Sequence, residues 1–449
     1  MKDTTTIAAI ATPLGNGAIS IVRMSGDNAL SIAAKLFKTS SLKDFNDAAP
    51  KQAYYGTFKN GKISDKCVAV YFKAPNSYTG EDMVEFQCHG GVRLTSEVLR
   101  SLVDFGARPA TKGEYTKRAF LNGKMTLADA EGVVDMINAE SIAGLEASYR
   151  LMNGDIARTI DSIQDEIIDL ISGLEASLDY PEELEEDVKR NGVDVIKNVH
   201  IELKNLLTSA KFGRYIKNGI NVAIIGIPNI GKSSLLNALL KRDRAIVTDI
   251  AGTTRDTLEE KYEVEGIILN LIDTAGIRKR TDDIIEEIGV KKAVKVAKQA
   301  DLVILLLDST RAMNEEEKHL IETYSDKRLL KVYNKCDQGI HPSISKDDNI
   351  FISALTGEGI DALTKHIVDI FLDNHLDNTG NIITSERHVD AISRALDSIK
   401  SCNYSIEDAP IECTLVDLRN AYSALGEITG KTASEDIIDR VFARFCVGK

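Results

Sequence analysis

Apolar residues along this chain change their spacing several times, and the changes divide it. Up to about residue 120 they come in short blocks. The stretches 18–23, 67–72 and 83–88 read as strands punctuated by glycine and proline, and 92–105 reads as a helix. From Leu127 the spacing becomes helical through Val133, Ile137, Ile142, Leu145 and Leu151. It continues through Ile160, Ile163, Ile167, Leu170, Ile171 and Leu174. Tyr180 and Pro181 break that helix, and a further helix pattern runs from 195 to 216. Continuous apolar runs then appear at 222–225, 267–272, 302–307, 329–333 and 350–352. Their length and lack of alternation predict strands buried on both faces. After about residue 373 helical spacing returns at 389–399, 413–425 and 435–445.

This pattern predicts a multidomain chain, α/β and α. The expected parts are an N-terminal α+β domain (1–120), a helical domain in two pieces (121–217 and 374–449), and an α/β domain inserted between them (218–373). Two separate helical domains would each have a small core, so a single interrupted one is the economical reading. An insertion anchored at both ends can pass a change of state to its host as a rotation.

The inserted segment carries the chemistry. Gly226, Gly231, Lys232 and Ser233 occupy the fixed places of G-x-x-x-x-G-K-[ST], with an apolar run before and a helix pattern (234–240) after. Glycine lets backbone N–H groups turn inward around an anion, and the helix N-terminus adds its positive end. Lys232 would reach the β- and γ-phosphates, and the Ser233 hydroxyl would ligate Mg²⁺. Asn229, Ile230 and Ser234 belong to the same cradle. Asp273, Thr274, Ala275 and Gly276 end the next run. They fit a Mg²⁺-side carboxylate and a backbone N–H toward the γ-phosphate. Asn334, Lys335 and Asp337 follow the 329–333 run. The Asp337 carboxylate can accept from the guanine N1–H and exocyclic amine, a donor pair adenine lacks. Ser353, Ala354 and Leu355 fit a loop behind the guanine O6. Four such strings in order predict a Ras-like GTPase.

Ras-type enzymes place a water-orienting glutamine just after the D-x-x-G glycine; here Ile277 stands there. Another group must supply charge and orient water. The Asn229 amide oxygen is a candidate K⁺ ligand, although a loop-stabilising role suits it too. The segment 248–256 offers carbonyl and hydroxyl oxygens from Thr248, Asp249, Ile250, Ala251, Gly252, Thr253 and Thr254. Thr248, Ile250 and Thr253 would complete the K⁺ site, and Thr254 would be the second Mg²⁺ ligand. Carboxylates in 281–289 could activate water, and the residues alone do not choose between them.

Composition narrows the partners. The chain has 449 residues and a net charge of −13, which excludes bulk nucleic-acid binding without a local patch or a partner. Cys67, Cys88, Cys336, Cys402, Cys413 and Cys446 show no C-x-x-C spacing. Reduced thiols, strand-sized apolar runs and an N-terminus unlike a signal peptide lead us to expect a cytosolic protein with no membrane association.

The residues 226–237 together with 245–256 resemble the TrmE/Era/EngA group of GTPases. Two further regions resemble the MnmE (TrmE) family of tRNA modification GTPases. One is the N-terminal set 11–13, 77–82, 89–91 and 118–124; the other is the terminal Phe445, Cys446, Val447, Gly448 and Lys449. The resemblance covers the whole length. It implies a dimer-forming N-terminal module that binds tetrahydrofolate, with Arg23, Glu85, Lys124 and Lys449 at the contact positions and a 5-formyl or methylene derivative as one-carbon source. Glu85 suits the pterin edge, and Arg23 and the lysines suit folate carboxylates. The resemblance also places the water-activating glutamate at Glu286, with Glu287 as its alternative. Lys232 and Thr254 are the other expected catalytic residues.

The family acts with an FAD- and NADH-dependent partner of the GidA (MnmG) type, in a heterotetramer or larger assembly. Together they add an aminomethyl or carboxymethylaminomethyl group at C5 of the tRNA wobble uridine. No G-x-G-x-x-G stretch stands in this chain, so flavin chemistry would lie in the partner. Cys446 could be a nucleophile or a packing residue. The alternative function is a ribosome-assembly GTPase of the Era/EngA type. A single P-loop, an acidic balance and the folate-type N-terminus speak against it.

Overall fold

The computed structural model describes residues 5–240, 259–273, 300–347, 349–372 and 381–449. They form two compact units. One comprises residues 1–134, 151–195 and 401–449, the other 135–150 and 196–400.

The first unit is built on a seven-stranded sheet. Its strands are β1 (Ile7–Ile10), β2 (Ile19–Ser25), β3 (Phe37–Lys38), β4 (Ala53–Lys59), β5 (Ser64–Phe72), β6 (Met83–His89) and β7 (Arg108–Pro109), in the order β3-β4-β5-β6-β2-β1-β7. All neighbours are antiparallel except β1 and β7. The period-2 pattern sorts the side chains. Ala8, Val22, Met24, Val84, Phe86 and Cys88 enter one apolar cluster with Ile32, Val98 and Leu102 of the helices Ala29–Leu36 and Val92–Asp104. Ile7, Ala9, Met83 and Tyr115 form a second, smaller cluster. In β4 the burial alternates along the strand, with Gly56 among its buried positions.

The helical part of this unit follows the predicted stripe. Ile156, Ile160, Ile163, Ile167, Leu170, Ile171 and Leu174 are the buried face of helix Asp155–Asp179. That helix packs on helix Ile411–Thr429, where the buried Gln164 donates Nε2–H to the Tyr422 carbonyl at 2.9 Å. Tyr180 ends the helix as expected, but Pro181 does not open a loop. A second helix, Pro181–Asn218, begins there, 14 residues before the expected start. Proline is favoured at a first helical position, because its fixed φ suits the helix and its missing N–H would have had no partner there.

The second unit holds a six-stranded sheet of β8 (Ile220–Ile225), β9 (Glu259–Val264), β10 (Ile267–Asp273), β11 (Leu302–Asp308), β12 (Leu329–Asn334) and β13 (Ile350–Phe351). The order is β13-β12-β11-β8-β10-β9, parallel throughout except for β9. Successive residues of β8 and β11 enter opposite clusters. Val222, Ile224, Ile304 and Leu306 pack on one face, Ala223, Ile225, Val303 and Leu305 on the other. Burial on both faces explains why these strands read as continuous apolar runs. Helical segments therefore flank the parallel sheet in the sequence on both sides.

Candidate functional site

The parallel strands deliver their loops to one edge, at their carboxyl ends, where open α/β sheets bind ligands. β8 ends at Ile225, and the loop that follows enters helix Lys232–Leu240. Gly226, Asn229 and Gly231 have φ of 153°, 60° and 106°. Asparagine is the non-glycine residue best suited to the left-handed region, so Asn229 has a conformational reason for its place in addition to its amide oxygen. Its side chain is exposed, as are Ser233 and Ser234. Ile230 is buried and fixes the loop to the core. Lys232 donates Nζ–H to the Gly226 and Ile227 carbonyls at 2.7 and 2.8 Å, lying across the loop. Asp273 ends β10, paired in register with Ile224, so the second phosphate-side motif leaves the sheet beside the first.

The base-side motifs are joined by one buried amide. Asn334 donates Nδ2–H to the Ile230 carbonyl at 2.9 Å and accepts from Ala354 N–H at 2.9 Å. It links the phosphate loop, the β12 loop and the β13 loop in one step. Gly231 must approach it closely, since a Cβ there would lie 2.3 Å from Asn334 Nδ2. Lys335 has φ 68°, and its ammonium donates to Asp308 Oδ2 at 2.7 Å. Burial pushes the Asp308 carboxyl up, but its bonds from Lys335 and Thr310 outweigh that and hold it below the usual range. Asp337 is exposed on the short turn Cys336–Gln338. Ser353 is fully buried and accepts from Thr356 N–H, whereas Leu355 is 84% exposed.

The other predicted nucleotide residues (Thr248, Asp249, Ile250, Ala251, Gly252, Thr253, Thr254, Thr274, Ala275 and Gly276), with Ile277, Glu286 and Glu287, lie outside the described residues. Among the described residues no group of three or more His, Cys, Asp or Glu could hold a metal ion, and no helix is long and apolar enough to cross a membrane.

In the antiparallel sheet, Arg23 of β2 and Glu85 of β6 are cross-strand partners. Arg23 is 9% exposed. Its guanidinium carbon lies 4.3 Å from the centre of the Tyr115 ring and 5.6 Å from that of Tyr78, and Tyr115 donates its hydroxyl to the Arg23 carbonyl at 2.8 Å. An Arg23 NH₂ donates to the Gly448 carbonyl, while its buried Nε has no hydrogen-bond partner among the described residues. Burial pushes the Glu85 carboxyl up, only partly offset by Arg23. The terminal segment is bound on both sides. Gly113 N–H donates to the Cys446 carbonyl and Tyr115 N–H to that of Lys449, while Lys112 bridges Val447. Gly448 has φ 95°, and a Cβ there would lie 2.2 Å from the Ile10 carbonyl oxygen. Phe445 is buried with Leu127 and Phe442. Cys446 is exposed. Thus Arg23, Glu85 and the backbone of Lys449 come to one region. Lys124 is exposed, its ammonium on the Pro75 carbonyl at 3.0 Å. Sequence reasoning missed Tyr115, whose buried ring supports Arg23; no motif marks it.

A parallel sheet with a phosphate loop after β8 and the 334–337 and 353–355 loops beside it defines a P-loop GTPase of the Ras-like class. The rest of the chain narrows this further. The family model for the MnmE helical domain matches residues 127–446, and that for the N-terminus of the GTP-binding protein TrmE matches residues 6–124. The tRNA modification GTPase MnmE of Finegoldia magna is 42% identical, over 99% of this chain and 99% of its own length. That of Streptococcus pneumoniae strain Hungary19A-6 is 40% identical, over 99% and 98%. Among solved structures, a point variant of Aquifex aeolicus Era bound to GDP·AlF₄⁻ overlaps 40% of this chain and 66% of its own, at 25% identity and a TM-score of 0.27. The chain belongs to the MnmE family of tRNA modification GTPases, and hydrolyses GTP in that role.

Proposed function

We propose that this chain is a K⁺-stimulated GTPase whose turnover serves modification of the tRNA wobble uridine at C5, with a one-carbon unit taken from a tetrahydrofolate derivative. The product carries an aminomethyl or carboxymethylaminomethyl group. The observation that carries the folate half is the paired arginine and carboxylate of Arg23 and Glu85. They are held on one sheet face beside the 446–449 segment, and one buried guanidinium donor, Nε, remains for a ligand. A 5-formyl or methylene tetrahydrofolate supplies the carbon. Arg23, Lys124 and Lys449 would meet its carboxylates, and Glu85 its pterin edge.

On the GTPase side, the loop N–H groups and Lys232 would bind the β- and γ-phosphates, and Asp337 would read guanine. Ser233 and Thr254 would hold Mg²⁺. Asn229, with Thr248, Ile250 and Thr253, would hold K⁺, which brings positive charge to the phosphates. The exposed Asn229 side chain fits that donor set. Glu286 would orient the attacking water. The chain would act in the cytoplasm as a homodimer, with an FAD- and NADH-dependent partner of the GidA (MnmG) type and no membrane. Mass spectrometry of wobble uridines tests the reading. Cells lacking the chain should lose the C5 substituent, and an unchanged nucleoside profile would reject it.

A further inference from the structure

We infer that Asp308, at the end of β11, is a positioning residue of the guanine site that acts through Lys335. It rests on the reading of 334–337 as the base-binding loop. The carboxylate divides its two oxygens. Oδ1 accepts from the Thr310 N–H at 3.0 Å and from its hydroxyl at 2.6 Å, which fixes the plane of the group. Oδ2 accepts from Lys335 Nζ at 2.7 Å. The Asp308 side chain is 10% exposed and that of Lys335 32%. The acid is therefore shielded, while part of the lysine side chain stays open to solvent.

The surroundings make this a rigid mount. Asp308 pairs in register with Asn334, the first residue of the loop. Its neighbour Ser309 is fully buried and spans the same loop. Ser309 N–H donates to the Asn334 carbonyl at 2.9 Å, and its hydroxyl to the Gly339 carbonyl at 2.9 Å. His341 N–H returns to the Ser309 carbonyl at 2.8 Å. Lys335 itself has a left-handed backbone, which a lysine adopts only when its surroundings impose it. The side chain is thus held at its root by the loop and at its tip by Asp308. A free lysine side chain has large rotamer freedom, which ligand binding would have to remove. Asp308 removes it beforehand, so the loop meets the base already ordered.

The test is a binding cycle on the full-length chain with GTP and GDP. Wild-type preference for guanosine over adenosine nucleotides is measured first; without it the guanine-site reading itself fails, independently of Asp308. Asp308→Asn is isosteric and keeps an acceptor for Thr310. It should weaken GTP and GDP equally, about three- to tenfold. The KM for GTP should rise by the same factor while kcat at saturation is unchanged. In a Lys335→Met background, Asp308→Asn should have no further effect. Unchanged affinity, an equal loss in both backgrounds, or a fall in kcat at constant KM would each overturn the inference.

Discussion

In the parallel sheet, groups that would face nucleotide leave from the ends of β8, β10, β12 and β13, and one side chain, Asn334, joins three of the four loops. Many of the groups are main-chain, so the strand ends set their positions. In the antiparallel sheet, Arg23 and Glu85 sit within β2 and β6, and their setting is completed by Tyr115 from a helix and Gly448 from 425 residues downstream. The first arrangement tolerates change in most side chains near it. The second depends on a few buried side chains whose charges burial disfavours. The difference predicts where function and stability oppose each other: weakly at the strand ends, strongly on the sheet face.

Lys232→Ala removes a charged donor from the phosphate loop and should lower GTP turnover by roughly 10²–10³, read by phosphate release. A smaller loss would place the electrostatics elsewhere. Arg23→Ala should weaken binding of formyl-tetrahydrofolate about 10- to 100-fold by calorimetry, the worth of a hydrogen bond to a charged group. Unchanged affinity would remove Arg23 from the site.

Asn229→Gly separates the two reasons for that asparagine. Glycine keeps φ near 60° but carries no amide oxygen. GTP binding should persist while the rate gain of K⁺ over Na⁺ falls roughly tenfold or more. A retained K⁺ response would reduce Asn229 to loop geometry.

The smallest effect is on folding. Glu85 has a raised pKa in the folded chain, so its contribution is fully present below the unfolded value and is lost as pH rises through the folded value. Glu85→Gln should raise the stability of the unit near neutral pH, by less than about 1 kcal/mol, while weakening folate binding. Glu114 runs the other way. Burial raises its pKa, but the bonds from Arg108 and Thr111 outweigh that and lower it. Its contribution is present above the unfolded value and lost as pH falls through the folded one. Thermal melts between about pH 4 and 7 should therefore depart from wild type toward the neutral end in both variants, with Glu85→Gln more stable and Glu114→Gln less stable than wild type, and approach it as pH falls.

The nucleotide motifs were legible because each is a short string at the end of an apolar run, and the continuous runs themselves announced a parallel sheet. Asp308 was not, because its partner lies 27 residues away across a strand pair and aspartate after an apolar run is common. The helix from Pro181 was missed for a related reason. Residues 182–187 are mostly acidic and carry no apolar stripe, so the start is set by proline geometry rather than by periodicity. Arg23 and Glu85 entered through family resemblance alone. Nothing in the local sequence says that an arginine at mid-strand will lie under a tyrosine and against the far end of the chain.

That far end sets an order of events during synthesis. β2 emerges early from the ribosome and can pair with β6 soon afterwards, but the Arg23 guanidinium reaches its final partner only after Gly448 has been made. A chain stopped before residue 448 lacks the carbonyl that accepts from that guanidinium. The 446–449 segment thus makes the finished setting of Arg23 wait on residues made 425 positions later.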